Sequence, residues 1–174
     1  MGEVLPGEVR QIGYVVTDLD DAIAGWLKMG VGPWFVIRGL SQRVTYRDTP
    51  CEVTLSLALS NSGDLQVELI QQLDETPSIF TEFLAGAAAG GFHQLAYWAD
   101  DFDAAMVKLA EAGWLQVWSG GEGEGVRFAY FEPPTGAAIV EVMELTDASA
   151  GMAEYVRAQA AAWDGRDPVR ELGG

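Results

Sequence analysis

Gln11-Ile-Gly-Tyr-Val-Val-Thr-Asp18-Leu-Asp20 and Gln94-Leu-Ala-Tyr-Trp-Ala-Asp-Asp101-Phe-Asp103 are two copies of one pattern; from Gln11 to Gln94 the offset is 83 residues. Ala22 and Gly30 recur at the same offset as Ala105 and Gly113. A second block follows in the same order. Gly63-Asp-Leu-Gln-Val67-Glu68-Leu-Ile70 answers Gly136-Ala-Ala-Ile-Val140-Glu141-Val-Met143. Two blocks in common order indicate a duplicated unit.

Each copy opens with a run of strand length, Gln11–Thr17 or Gln94–Ala99, ending in aspartates suited to cap a helix. Leu19, Ile23, Trp26 and Leu27, and then Phe102, Ala105, Met106 and Leu109, recur with helical spacing and form one apolar face each. Gly30 and Gly113 stand where a left-handed helix end is expected. Strand-like segments follow at Trp34–Arg38, Val44–Tyr46, Cys51–Ser60 and Leu65–Gln71, then at Leu115–Trp118, Val126–Phe131 and 137–143. The reading is α+β: two βαβββ modules, residues 9–72 and 91–145, joined by a linker helix over 77–89 with Pro77 in its first turn. Together they make one domain over residues 1–145. Residues 146–174 form a helical extension, its helix spanning Ser149–Trp163 with Met152, Tyr155, Val156, Ala160 and Trp163 on one face. That face is expected to pack on its own sheet or on a second subunit, and a homodimer is the expected assembly.

Composition bounds the partners. Ten Lys and Arg against 26 Asp and Glu give a net charge of −16, which leaves no basic field for nucleic acid or an anionic membrane surface. The apolar runs are too short to cross a bilayer as helices. Cys51 is the single cysteine, so an internal disulfide is impossible and a cytoplasmic location is the default expectation.

The two Gln-led strands and the closing strands Val67-Glu68-Leu-Ile and Val140-Glu141-Val-Met resemble the vicinal oxygen chelate superfamily. That family includes glyoxalase I, methylmalonyl-CoA epimerase, bleomycin-resistance proteins and extradiol dioxygenases. The resemblance spans Val9 to Leu145 and implies a cup-shaped mixed sheet with helices outside. It also implies four metal-binding positions, here Gln11, Glu68, Gln94 and Glu141. The third departs from the pattern, because the family commonly has His there and this chain has its only histidine, His93, one residue earlier. Successive strand side chains point to opposite faces, so His93 faces away unless a bulge re-aims it. Three readings stay open: an all-oxygen site for Mg, Mn, Co or Ni; a site completed by His93; or a polar floor with no cofactor.

The same alternation predicts an apolar pocket wall of Val15, Ile70, Trp98, Ile139 and Met143, and puts Tyr14 and Tyr97 beneath the helices. Arg43, with Arg38 and Arg47, is a candidate to bind a carboxylate or a CoA phosphate at the rim. Such a cup suits a small apolar, oxygenated substrate. Two carboxylates facing each other across it cannot both ionise cheaply. Glu141 is the expected base by resemblance, with Glu68 its partner, in a lyase or isomerase acting on a carbonyl compound or CoA thioester. A ligand-sequestering or resistance protein is the alternative. A ring-cleaving dioxygenase is disfavoured, since its iron resembles a two-histidine, one-carboxylate site that a single histidine cannot supply.

Overall fold

The computed structural model describes residues 3–123, 125–136 and 138–173. Its first module runs β1 (Gln11–Val15), α1 (Leu19–Lys28), β2 (Trp34–Tyr46), β3 (Thr49–Ser62) and β4 (Leu65–Gln72). After α2 (Ile79–Gly86), the second repeats it as β5 (Gly91–Ala99), α3 (Phe102–Glu111), β6 (Leu115–Gly120), β7 (Phe128–Glu132) and β8 (Ile139–Glu144). The chain continues through α4 (Asp147–Ala161) and β9 (Val169–Glu171).

Asp18 and Asp101 cap α1 and α3, each accepting a hydrogen bond from the backbone N–H three residues on. Gly30 and Gly113 follow those helices at φ +83 and +79, where a side chain would be strained.

Both modules have the same internal order, β1-β4-β3-β2 and β5-β8-β7-β6. β1 pairs with β5 and β2 with β6, so eight strands close into a ring, with β9 added to β2. Only Val44–Tyr46 of β2 reach β6, whereas Trp34–Val36 pair with β9. One end of that seam is therefore free of β6, and the ring is a cup. Outward residues pack beneath helices: Tyr14, Val67 and Leu69 with Leu19 and Ile23 of α1, and Tyr97, Val140 and Val142 with Phe102 and Leu109 of α3.

Several boundaries differ from the sequence reading. The two segments expected at 34–38 and 44–46 are one strand, because Ser41, Gln42 and Arg43 pair with β3 despite being polar; a register shift near Gly39 absorbs the irregularity. The linker helix is shorter than 77–89. Ser78 caps it in a reciprocal capping box with Thr81, leaving Pro77 outside the first turn. Thr146 and Ser149 form a second capping box and start α4 two residues before Ser149. β9 was not anticipated. Residue 137, expected to open the last strand, lies outside the described residues.

α4 packs on its own chain through Val156, fully buried, and through Tyr155, whose ring meets Phe35 edge-on at 5.3 Å. Met152, expected on the same face, is exposed. α2 and α4 serve opposite ends of the cup. Ile79 and Phe80 of α2 join Val15, Val44, Val53, Leu55, Ile70, Trp118 and Tyr130 in a core that plugs the ring's interior.

Candidate functional site

Strand register gathers the polar residues above that plug. Gln11 lies opposite Gln66 on β4 and Ala96 on β5; Gly13, two residues on, lies opposite Glu68 and Gln94. Glu141 lies opposite Ala96 and, on its other side, Tyr130. Residues two apart on a strand face the same way, so Gln11, Gln66, Glu68, Gln94, Tyr130 and Glu141 all project into the cup. Gln11, Gln66, Gln94 and Glu141 are almost wholly buried. Glu68 is enclosed by protein but keeps part of its surface accessible.

Gly13 makes the arrangement possible. A Cβ there would overlap the Gln94 side-chain amide, which crosses β1 at this gap and directs Nε2 toward Glu68 Oε2 at 3.5 Å and the Tyr130 hydroxyl at 3.3 Å. The Gln94 carbonyl oxygen turns the other way, 2.6 Å from His93 Nδ1. Gln11 donates from Nε2 to Gln66 Oε1 at 2.7 Å.

His93, expected to face away from the cup unless a bulge re-aimed it, is buried. Gly13 pairs with Gln94 and Tyr14 with Phe92, so His93 is the extra residue of a β-bulge that turns it inward. There its ring packs against Phe80, Phe83 and Tyr130. It meets Gln94 rather than either carboxylate. Burial lowers its pKa, although the Gln94 hydrogen bond and the charge of Glu82 oppose this, so it is neutral at pH 7. With the proton assigned to Nδ1, Nε2 is left without a partner.

The two carboxyls separate in proton affinity. Burial raises Glu68 well above the ordinary carboxylate range, and the charge of Glu141 adds to it. Burial also raises Glu141, to about 7, against the pull of Tyr130 and Gln94, which favour its charged form. Near neutral pH, Glu68 is thus the acid and Glu141 is partly ionised. Glu141 Oε2 makes no hydrogen bond.

A divalent ion held by Gln11, Glu68, Gln94 and Glu141 would need oxygen lone pairs aimed at one point. The glutamines instead present N–H groups inward, Gln94 to Glu68 and Tyr130 and Gln11 to Gln66. Among the described residues no three His, Cys, Asp or Glu side chains gather as a metal cluster. As arranged, these amide orientations suit a carboxyl oxygen as neighbour more than a cation.

The expected apolar wall is redistributed. Val15 and Ile70 are packed core, with Ile139 against them, because α2 fills that part of the cup. Trp98 lines a cavity of about 550 Å3 at the opposite end, roofed by Ala150, Ala153, Glu154 and Arg157 of α4. Met143 lies opposite Trp98 on the neighbouring strand. Because Trp98 is two residues beyond Ala96, which faces Glu141, the cavity lies about 7 Å along the strands from Glu141 and about 13 Å from Glu68, which is level with Gln94. Arg43 is exposed beside Glu52 at the β2–β3 hairpin and does not line this cavity. Arg38, Arg47 and Arg127 are each engaged by two carboxylates: Asp20 and Glu171, Glu82 and Glu132, Asp103 and Glu144.

Tyr130 and Asn61 escaped the sequence reading. Asn61 faces Gln66 across the β3–β4 hairpin; the hairpin glycine, Gly63, is the signal that could have fixed this register. Tyr130 had no such local signal.

A family model described as the glyoxalase/bleomycin resistance protein/dioxygenase superfamily matches residues 10–131. No curated protein matches the chain. Among solved structures, the chain is similar to methylmalonyl-CoA epimerase from Mycobacterium tuberculosis, with 22% identity, 87% of this chain and 96% of that one covered, and a TM-score of 0.58. It is also similar to a variant of Streptomyces coelicolor methylmalonyl-CoA epimerase in complex with 2-nitronate-propionyl-CoA, at 17% identity, 82% and 96% coverage and a TM-score of 0.57. A hypothetical protein from Bacillus halodurans shares 16% identity over 80% and 95% of the two chains, with a TM-score of 0.56. At such identities the likeness concerns the fold. Among the described residues no helix is long and apolar enough to cross a membrane.

Proposed function

We propose a proton-transfer function from one premise: the chain belongs to the glyoxalase/bleomycin resistance protein/dioxygenase superfamily. The reading is an isomerase or lyase acting on a carbonyl compound, and a single observation carries it. Two enclosed carboxyls lie in one cup with their proton affinities pushed apart, which is how one site supplies both an acid and a base near neutrality.

Glu141 in its charged form removes the proton alpha to the substrate carbonyl. The C–H electron pair moves to the carbonyl oxygen, and protonated Glu68 hydrogen-bonds the resulting enolate. Return of a proton to carbon, from Glu141 or from Glu68 on the other face, completes an exchange or an epimerisation. Tyr130 and Gln94 favour the charged form of Glu141, and His93 orients Gln94. The epimerase neighbours are consistent with this class of chemistry and leave the substrate open.

The test is solvent-deuterium incorporation, followed by NMR in D2O, into a panel of enolisable carbonyl compounds that includes methylmalonyl-CoA. Incorporation by the native protein that disappears in Glu141→Gln supports the reading. Incorporation that persists in that variant removes Glu141 from the base role. Non-catalytic binding is the second reading, favoured by the position of the open cavity above the carboxylates rather than around them. A ligand retained unchanged, with no deuterium entering it, supports that reading.

A further inference from the structure

The cavity beneath α4 bears on what the body of the substrate rests against. Resting on the proton-transfer reading, we propose that this cavity is the subsite for the substrate's body and that it takes a neutral, carrier-free carbonyl compound with a flat apolar portion, not a thioester of a phosphorylated carrier.

Its walls supply two arguments. The first is charge. Glu8, Asp64 and Glu154 line the cavity against Arg10 and Arg157. Arg157 is already bound to Glu154 at 2.7 Å and Asp64 at 3.6 Å. Arg10 makes no ion pair among the described residues, but it lies over the Trp98 ring, 4.8 Å from its centroid. The cations that could have gripped phosphates, Arg38, Arg47 and Arg127, are held by paired carboxylates elsewhere. A polyanionic carrier would thus meet a mouth with more acids than bases on a chain of net charge −16.

The second argument is what the walls lack. Val9, Leu65, Leu145, Ala150 and Ala153 give apolar surface beside the Trp98 ring. Behind it, in two of the lining residues, lie buried polar atoms without hydrogen-bond partners, the Trp98 Nε1 donor and the Asn61 Oδ1 acceptor, which a small turn of either side chain would bring to a ligand; Asn61 as a whole is only 6% exposed. Unpaired buried polar groups are costly, and a ligand bringing one acceptor and one donor would satisfy both. That complement is neutral.

The test follows the Trp98 indole N–H resonance in protein carrying 15N-labelled tryptophan, assigned by its loss in Trp98→Phe. The probes are 4-(4-hydroxyphenyl)-2-butanone, a neutral ketone with a flat ring whose carbonyl accepts and whose phenol donates, and coenzyme A itself, each up to about 5 mM. The ketone is expected to shift the resonance saturably and coenzyme A to leave it unmoved. Asn61→Leu is expected to weaken ketone binding about fivefold or more, while Glu8→Gln/Asp64→Asn/Glu154→Gln relieves repulsion and makes coenzyme A binding detectable. Saturable coenzyme A binding to the native protein, tighter than that of the ketone, overturns the proposal, as does a ketone that leaves the resonance unmoved. All titrations are repeated in Glu141→Gln, which needs no turnover. Ketone binding there with deuterium exchange persisting sinks the proton-transfer reading alone. Absent binding with exchange abolished sinks the subsite alone.

Discussion

Replacing Glu141 with Gln should change how stability depends on pH. In the native fold burial raises this carboxyl from 4.5 to about 7. A tenfold change in proton affinity corresponds to about 1.4 kcal/mol, so the displacement amounts to about 3 kcal/mol. Because the folded state holds the proton more tightly than the unfolded chain, the contribution is fully present below about pH 4.5. It is lost as pH rises toward and through about 7. Gln is close to the protonated side chain in shape and carries no charge. Stability of Glu141→Gln minus that of the native protein should thus increase by about 2–3 kcal/mol from pH 5 to pH 8. Urea denaturation of both proteins across that range measures this; the shared acids cancel in the difference except Glu68, whose proton affinity the Glu141 charge raises, so the comparison is repeated in a Glu68→Gln background. A difference constant to within about 0.5 kcal/mol would refute the reasoning, by showing that the charge is not isolated in the cup.

Three further outcomes follow from the same geometry. Gly13→Ala places a Cβ where the Gln94 amide lies and should cost about 1–3 kcal/mol in denaturant unfolding; an unchanged midpoint would mean that Gln94 has room to move. Tyr130→Phe removes a group that favours the charged form of Glu141, so the carboxyl midpoint, followed by 13C NMR, should move above about 7, while a downward move would contradict the assignment. His93→Phe fills the same space among Phe80 and Phe83 but takes away the Gln94 contact; a loss of about 1–2 kcal/mol is expected, read by thermal or urea unfolding.

Much of this architecture is legible in the chain because a repeat fixes parity twice. Once Glu68 and Glu141 are placed on matching strands, alternation puts Tyr14 and Tyr97 under helices and Gln11 and Gln94 inside, as observed. What the pattern could not carry was long-range. The bulge that turns His93 inward arises from the pairing of β5 with β1, strands separated by most of a module. The apolar stripe of α2 announces burial but not destination; its destination is the cup's interior, which makes Val15 and Ile70 core instead of pocket wall. Ser41–Arg43 looks like a loop because its residues are polar, yet a hairpin partner holds it as strand. The cavity depends on where α4 crosses the mouth, and helix crossing leaves no mark in local periodicity.

The central claim is that one proton is shared unevenly between two enclosed carboxyls, with Glu141 ionising near neutrality while Glu68 stays protonated. A 13C NMR titration of the Glu side-chain carboxyl carbons, assigned through Glu68→Gln and Glu141→Gln, addresses it directly. One midpoint near 7 belonging to Glu141, with a higher one for Glu68, is the predicted result. Two midpoints in the ordinary range near 4.5 would contradict it.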